Sequence, residues 1–136
     1  TVTPLLAPSL FPLRLAGMIL THSLRVCLAV APCDLRKSFD SLAAVVRGAL
    51  GEDPLSRKVF VFANRKRDRV KLLYWDGTGL WVLAKRLERG RFRWPRGAQP
   101  GARKMALEPA ALDMLLNGID LRDGARRAWY EAGENS

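Results

Sequence analysis

The spacing of apolar positions changes several times along this chain, and each change predicts an element. LRVCLAV, residues 24–30, is short, apolar and rich in β-branched side chains, and it stops before Pro32. Such a run predicts a buried strand. From Asp34 the period lengthens: Leu35, Phe39, Leu42, Val46 and Leu50 recur at three- and four-residue intervals and Gly51 follows. That is one apolar stripe on a helix over about 35–50, with Asp34 as its N-cap. KVFVFA (58–63), RVKLLYW (69–75) and GLWVLAK (79–85) return to strand character. Alternation puts Val70, Leu72 and Tyr74 on one face of the middle strand and Lys71, Leu73 and Trp75 on the other. Asp76-Gly77 predicts a type I′ hairpin between the last two strands. The loop from Asn64 to Asp68 then falls at the opposite end of the same strand. Pro109 opens a short helix over about 109–117, with Leu112, Leu115 and Leu116 facing inward and Asn117-Gly118 closing it.

Two segments interrupt this pattern with charge. Arg65, Lys66, Arg67 and Arg69 crowd the loop before the third strand. In KRLERGRFRWP (85–95), Arg89, Arg91 and Arg93 alternate with Phe92 and Trp94, so an extended chain sends arginines to one side and aromatics to the other. Pro95 confines that piece to a sheet edge. Residues 96–104 read as a basic loop.

Charge changes the picture more than size does. The chain has 136 residues and a net charge of +10, enough for one domain with its own core. The segment 57–104 holds fifteen basic and three acidic residues, while all other positions hold eight and ten. Excess charge segregated in this way predicts a docking surface for a polyanion, nucleic acid above all. The contact candidates are Arg65, Lys66, Arg67, Arg69, Lys71, Lys85, Arg86, Arg89, Arg91 and Arg93, joined by Arg36 and Lys37 from the expected first helical turn. Those last two have a second reading as a solvated face. Tyr74 and Trp81 are expected in the core, whereas Trp94, flanked by arginines, is the candidate for stacking on a base.

Catalytic and metal chemistry find little footing. Cys27 and Cys33 match no zinc spacing, and the single His22 has no evident acid or nucleophile partner. Asp34 is accounted for as a cap, Asp76 as a turn residue and Asp68 as a charge partner in the basic loop; Asp40 and Glu88 complete no recognisable carboxylate set. Gly77-Thr78-Gly79 lacks the lysine and helix of a phosphate-cradling loop. No catalytic residue, metal or cofactor is assigned. A helix N-terminus near Cys33 would lower its thiol pKa, but a plain thiol in a reducing cytosol is the simpler reading. Pro4, Pro8 and Pro12 break the greasy start, so neither a signal peptide nor a membrane span is expected.

The order of motifs is also familiar. DLRKSFDSLA (34–43), DPL (53–55), VFVFANRKRDRVKLLYWDGTGLW (59–81), KRLERGRFRWP (85–95) and LLNGID (115–120) resemble the TnpB accessory proteins of the IS66 family of bacterial insertion sequences, which are distinct from the RNA-guided nucleases sharing that name. The likeness covers about residues 24–120. It implies a factor needed for transposition, working beside an element-encoded DDE transposase and a further accessory protein, with no catalytic residues to carry over. The family usually has glycine where Ser38 and Arg57 stand; the first departure bears on the packing of the helix face, and the second adds charge and places the geometry of its turn in question.

Together these readings predict an α+β fold: a small antiparallel β-meander of four to five strands with one longer helix and one short C-terminal helix. Residues 1–17 are expected to be a loosely ordered extension, with Met18 a plausible true start, 18–120 a single domain and 121–136 a tail. The expected function is a non-catalytic, DNA-binding transposition factor of the bacterial cytoplasm, associated with the nucleoid. The alternatives are a scaffold that docks an acidic surface of the transposase, and a small metal-dependent nuclease.

Overall fold

The computed structural model describes residues 24–118 apart from Ala98. The expected extension, His22, and the tail with Trp129 and Tyr130 lie outside the described residues. Five strands and two helices follow in the order β1 (Val26–Ala29), α1 (Phe39–Gly48), β2 (Val59–Ala63), β3 (Arg69–Trp75), β4 (Leu80–Arg86), β5 (Lys104–Leu107) and α2 (Pro109–Leu116). The α+β class is as expected. The strands form one sheet in the order β4-β3-β2-β1-β5. β2, β3 and β4 are the predicted antiparallel meander. β1 and β2 run parallel, because α1 carries the chain back to the end of the sheet from which β1 started.

The period-two pattern sorts side chains between two cores. Val59, Val61 and Ala63 of β2 join Val70, Leu72 and Tyr74 of β3 on one face, covered by Leu112, Leu115 and Leu116 of α2 and by Phe92. Phe60, Phe62 and Leu73 face the other way and pack on Leu42, Ala43 and Val46 of α1. Every residue of β2 is buried, as befits the central strand of a three-layer unit. Phe60 and Phe62 are fully buried, each worth roughly 2–3 kcal/mol in area removed from water.

Several local expectations need correction. α1 begins at Phe39, four residues later than the apolar stripe predicted. Asp34 bonds instead to the backbone N–H of Arg36 (3.0 Å) and to its guanidinium (2.8 Å), which offers the chain a turn in place of a helix. Leu35 therefore packs from a loop, and Phe39 is 46% exposed. The Asp76-Gly77 turn forms where expected but is not type I′: only Gly77 takes positive φ, at +106°, and the connection runs from Asp76 to Gly79. Asp76 determines it, accepting hydrogen bonds from Thr78 N (2.8 Å), Gly79 N (3.0 Å) and Trp81 Nε1 (2.7 Å). Trp81, expected in the core, lies on the outer strand β4 and is 39% exposed. Within 85–95, strand pairing stops at Arg86. The fifth strand is Lys104–Leu107, at the end of what reads as a basic loop, with Met105 and Leu107 buried.

Arg57 has φ +69°, a left-handed conformation that glycine adopts without strain. It is one of the two positions at which the resembled family carries glycine. Ser38, the other, is the N-cap of α1 in an extended conformation (φ −126°), without a side-chain capping bond.

Candidate nucleic-acid interface

One end of the sheet gathers the connections that carry charge. The chain leaves β1 through residues 30–38, passes from β2 to β3 through 64–68, and leaves β4 through 87–93. The Asp76 turn occupies the other end of β3, as the sequence predicts.

Asn64 builds the basic loop. Its side-chain oxygen accepts from the backbone N–H groups of Asp68 and Arg69, both at 3.1 Å, and its amide donates to Asp68 Oδ1 at 2.7 Å. That last bond holds the Asp68 carboxyl below its usual pKa. Arg67 takes φ +62° at the turn, which sends its side chain away from those of its neighbours. The second basic segment is tied to this loop by two backbone bonds. Leu87 N donates to Asp68 O (2.9 Å) and Phe92 N donates to Arg67 O (2.6 Å). With Phe92 buried as the anchor, Arg89, Arg91 and Arg93 are held exposed beside the loop.

Two grooves flank the junction. One, of about 600 Å³, is lined by Arg36, Arg65, Lys66 and Arg69 with Asp34 and Asp68. The next, of about 550 Å³, shares Leu35 and Arg69 with it and adds Lys71, Lys85 and Arg86 with Glu88. Together they make a basic track from the β1–α1 loop across the ends of β3 and β4.

The predicted contact residues separate into two groups. Arg65, Lys66, Arg69, Arg89, Arg91 and Arg93 are exposed, and their side chains make no hydrogen bond or ion pair among the described residues. Of the others, all but half-buried Lys37 have side chains that are wholly or partly committed. Arg36 is ion-paired with Asp34 at 2.8 Å, which holds that carboxyl far below the ordinary range. Lys71 Nζ donates to Lys37 O (2.8 Å), Lys85 Nζ donates to Leu116 O at the end of α2 (2.7 Å), and Arg86 lies 3.8 Å from Glu88. Lys37 lies in the loop before α1, outside the helical turn expected for it.

Arg67 and Trp94 turn toward one another instead of outward. The guanidinium lies over the indole at 5.2 Å from the ring centroid and donates to Val30 O at 3.1 Å. Desolvation, and then the charge of Arg65, lowers its pKa. Trp94 is half-buried against the α2-side core, and its Nε1 donates to Ala29 O at 2.9 Å. Arg96 stands beside this pair and is missing from the contact candidates; its position directly after Pro95 in the basic run is the signal that points to it.

The carboxylates named in the sequence are engaged locally: Asp34 by Arg36, Asp68 by Asn64, Asp76 by its own turn. Among the described residues, no three His, Cys, Asp or Glu side chains gather to hold a metal ion. Cys33 lies before the delayed helix, and burial pushes its thiol pKa up, opposite to the effect of a helix N-terminus. Among the described residues, no helix is long and apolar enough to cross a membrane.

The class so defined is a small α+β domain with a basic sheet end built from three connections. The IS66 Orf2-like protein family matches residues 24–126, and the chain belongs to that family. Membership implies an accessory role in insertion-sequence transposition and association with the IS66 transposition machinery. The chain is also similar to two uncharacterized proteins of Sinorhizobium fredii. It is 43% identical to y4hO over 101 residues, covering 74% of this chain and 85% of that protein. It is 36% identical to y4jC over 100 residues, covering 74% and 83%. No solved structure matches.

Proposed function

We propose that this protein is a non-catalytic accessory factor of insertion-sequence transposition that holds DNA by its phosphate backbone, at the bacterial nucleoid, alongside the element's transposase. The observation that carries the reading is the set of six exposed side chains, Arg65, Lys66, Arg69, Arg89, Arg91 and Arg93, fixed at one sheet end with no partner among the described residues. Like charges held together in this way destabilise a fold unless a polyanion or solvent relieves them. Arginine forks suit phosphate oxygens, and contacts of this kind position a protein on DNA without reading its sequence. Selection of element ends then falls to the transposase.

A gel-shift comparison of wild type with an Arg65→Ala/Lys66→Ala/Arg69→Ala variant tests this, folding being checked by circular dichroism. All three residues are exposed, so the variant is expected to fold, and its affinity should fall alike for element-end and scrambled duplexes. A folded variant that binds as the wild type does contradicts the assignment.

A further inference from the structure

Behind the basic loop, on the α2 side of the sheet, lies a third concavity of about 420 Å³ whose charged lining is Arg67, Arg91, Arg93 and Arg96. It differs from the two grooves in one respect. Those carry Asp34 and Asp68, or Glu88, among their cations, whereas among the described residues no carboxylate lines this one. Its floor is preorganised. Phe92 is buried, Trp94 is fixed by its bond to Ala29 O, and Arg67 lies over the indole. One Arg67 nitrogen, Nη1, is buried with no hydrogen-bond partner among the described residues. A buried guanidinium N–H without an acceptor is costly, and four arginines with no counter-charge among the described residues favour a strongly anionic ligand.

We propose that this pocket binds a doubly charged phosphate group, the terminal phosphomonoester of a nucleic-acid strand, beside the surface for backbone diesters, with which it shares Arg91 and Arg93. A phosphomonoester carries close to two charges at neutral pH and three acceptor oxygens, against one charge for a diester. Arg91, Arg93 and Arg96 line it as exposed side chains. The inference rests on the DNA reading only for the carrier of the phosphate; free phosphate or a mononucleotide presents the same chemistry.

The test uses the full chain with duplexes that differ only in bearing a 5′-phosphate or a 5′-hydroxyl. The phosphorylated duplex should bind about tenfold more tightly, the worth of roughly one hydrogen bond between charged groups. Arg91→Ala/Arg93→Ala/Arg96→Ala should weaken both duplexes and abolish that ratio, while Arg65→Ala/Lys66→Ala/Arg69→Ala should weaken both duplexes and keep it. In parallel, inorganic phosphate is titrated while the indole N–H resonance of Trp94 is followed by NMR. Equal affinity for the two duplexes, with no Trp94 shift on adding phosphate, overturns the pocket and leaves the backbone track standing. Failure of both duplexes to bind, with Trp94 still shifting in wild type but not in the Arg91/Arg93/Arg96 variant, upholds the pocket and overturns the DNA reading. Failure on both counts overturns both.

Discussion

The guanidinium of Arg67 stacks over the indole of Trp94 at 5.2 Å, while Trp94 Nε1 reaches back to Ala29 O at 2.9 Å. The most basic loop of the chain is thereby joined to β1 and to the segment after β4. The stack costs Arg67 a left-handed backbone, a structural use for a side chain that reads in sequence as one more phosphate contact. Arg67→Ala is expected to lower stability by about 1–2 kcal/mol through loss of the stack and of the bond to Val30. In a double-mutant cycle measured by urea unfolding, Arg67→Ala and Trp94→Leu should couple by about 0.5–1 kcal/mol. Additive effects would mean that the stack contributes nothing.

Arg57 lies at the opposite end of the sheet in the same strained backbone region, without the compensation of an aromatic partner. Replacing it with glycine removes a left-handed cost of about 1–2 kcal/mol and adds back part of it through unfolded-chain entropy. Arg57→Gly should therefore raise stability by about 0.5 kcal/mol, or roughly 2–4 °C in Tm by calorimetry. DNA affinity should change little, because the residue is remote from the basic end. A fall in Tm would show that its side chain, folded over Gly77, matters more than its backbone strain.

Glu52 is the main carboxylate anchor of the α1 side. It is mostly buried, bonded to Lys58 Nζ at 2.8 Å and to Lys104 Nζ, and the bonds to Lys104 and Lys58 lower its pKa. A depressed carboxyl pKa means that the unfolded chain takes up its proton first. The stabilisation is thus complete above the ordinary value near 4.5 and is lost as pH falls below it. Glu52→Gln should cost about 1–2 kcal/mol at pH 7 and flatten the acid limb of the stability curve. An unchanged acid limb would contradict this assignment.

Cys27 titrates in the opposite direction. Burial, aided by the charge of Glu52, pushes its thiol up to about 11. The folded state then holds that proton after the unfolded chain has released it, so stability is complete below pH 9 and declines between 9 and 11, by at most about 1.4 kcal/mol per pH unit for this group. Cys27→Ala should remove that component of the alkaline decline. A disulfide reagent at pH 8 should label half-buried Cys33 well before Cys27.

How far the sequence carries depends on what each residue competes with. Alternation along β3 placed Val70, Leu72 and Tyr74 on one face and Leu73 on the other, as found, because strand period is strict; the unbroken apolar run of β2 does not show which residues take which face. The stripe from Leu35 to Leu50 overshot the helix start, since an Asp-centred turn bonds backbone more locally than a helix does. β5 escaped notice as four residues at the end of a glycine- and arginine-rich run, though Met105 and Leu107 alternate inward. The two tryptophans exchanged their expected places. Trp81 lies outward on the outer strand and Trp94 is held within the chain, a matter of long-range partners that local spacing does not encode. The in-and-out alternation of Arg91, Phe92 and Arg93 was legible; its attachment to the loop by two backbone bonds was not.

Commitment within the chain also ranks the basic residues for DNA. Lys71 and Lys85 hold backbone carbonyls, so Lys71→Met and Lys85→Met should cost about 0.5–1.5 kcal/mol in stability yet alter the salt dependence less than Arg65→Ala or Arg69→Ala. The reverse order would place the phosphate track higher on the sheet.

Fluorescence anisotropy of a labelled duplex across a range of salt concentrations, with an element-end and a scrambled sequence, tests whether this sheet end holds the phosphate backbone. Neutralising four or more phosphates predicts a slope of log K against log salt of about −4 or steeper, at roughly 0.9 per contact, with the same slope and affinity for both sequences. No binding at low salt would contradict the account and direct attention to an acidic surface of the transposase as the partner of this sheet end.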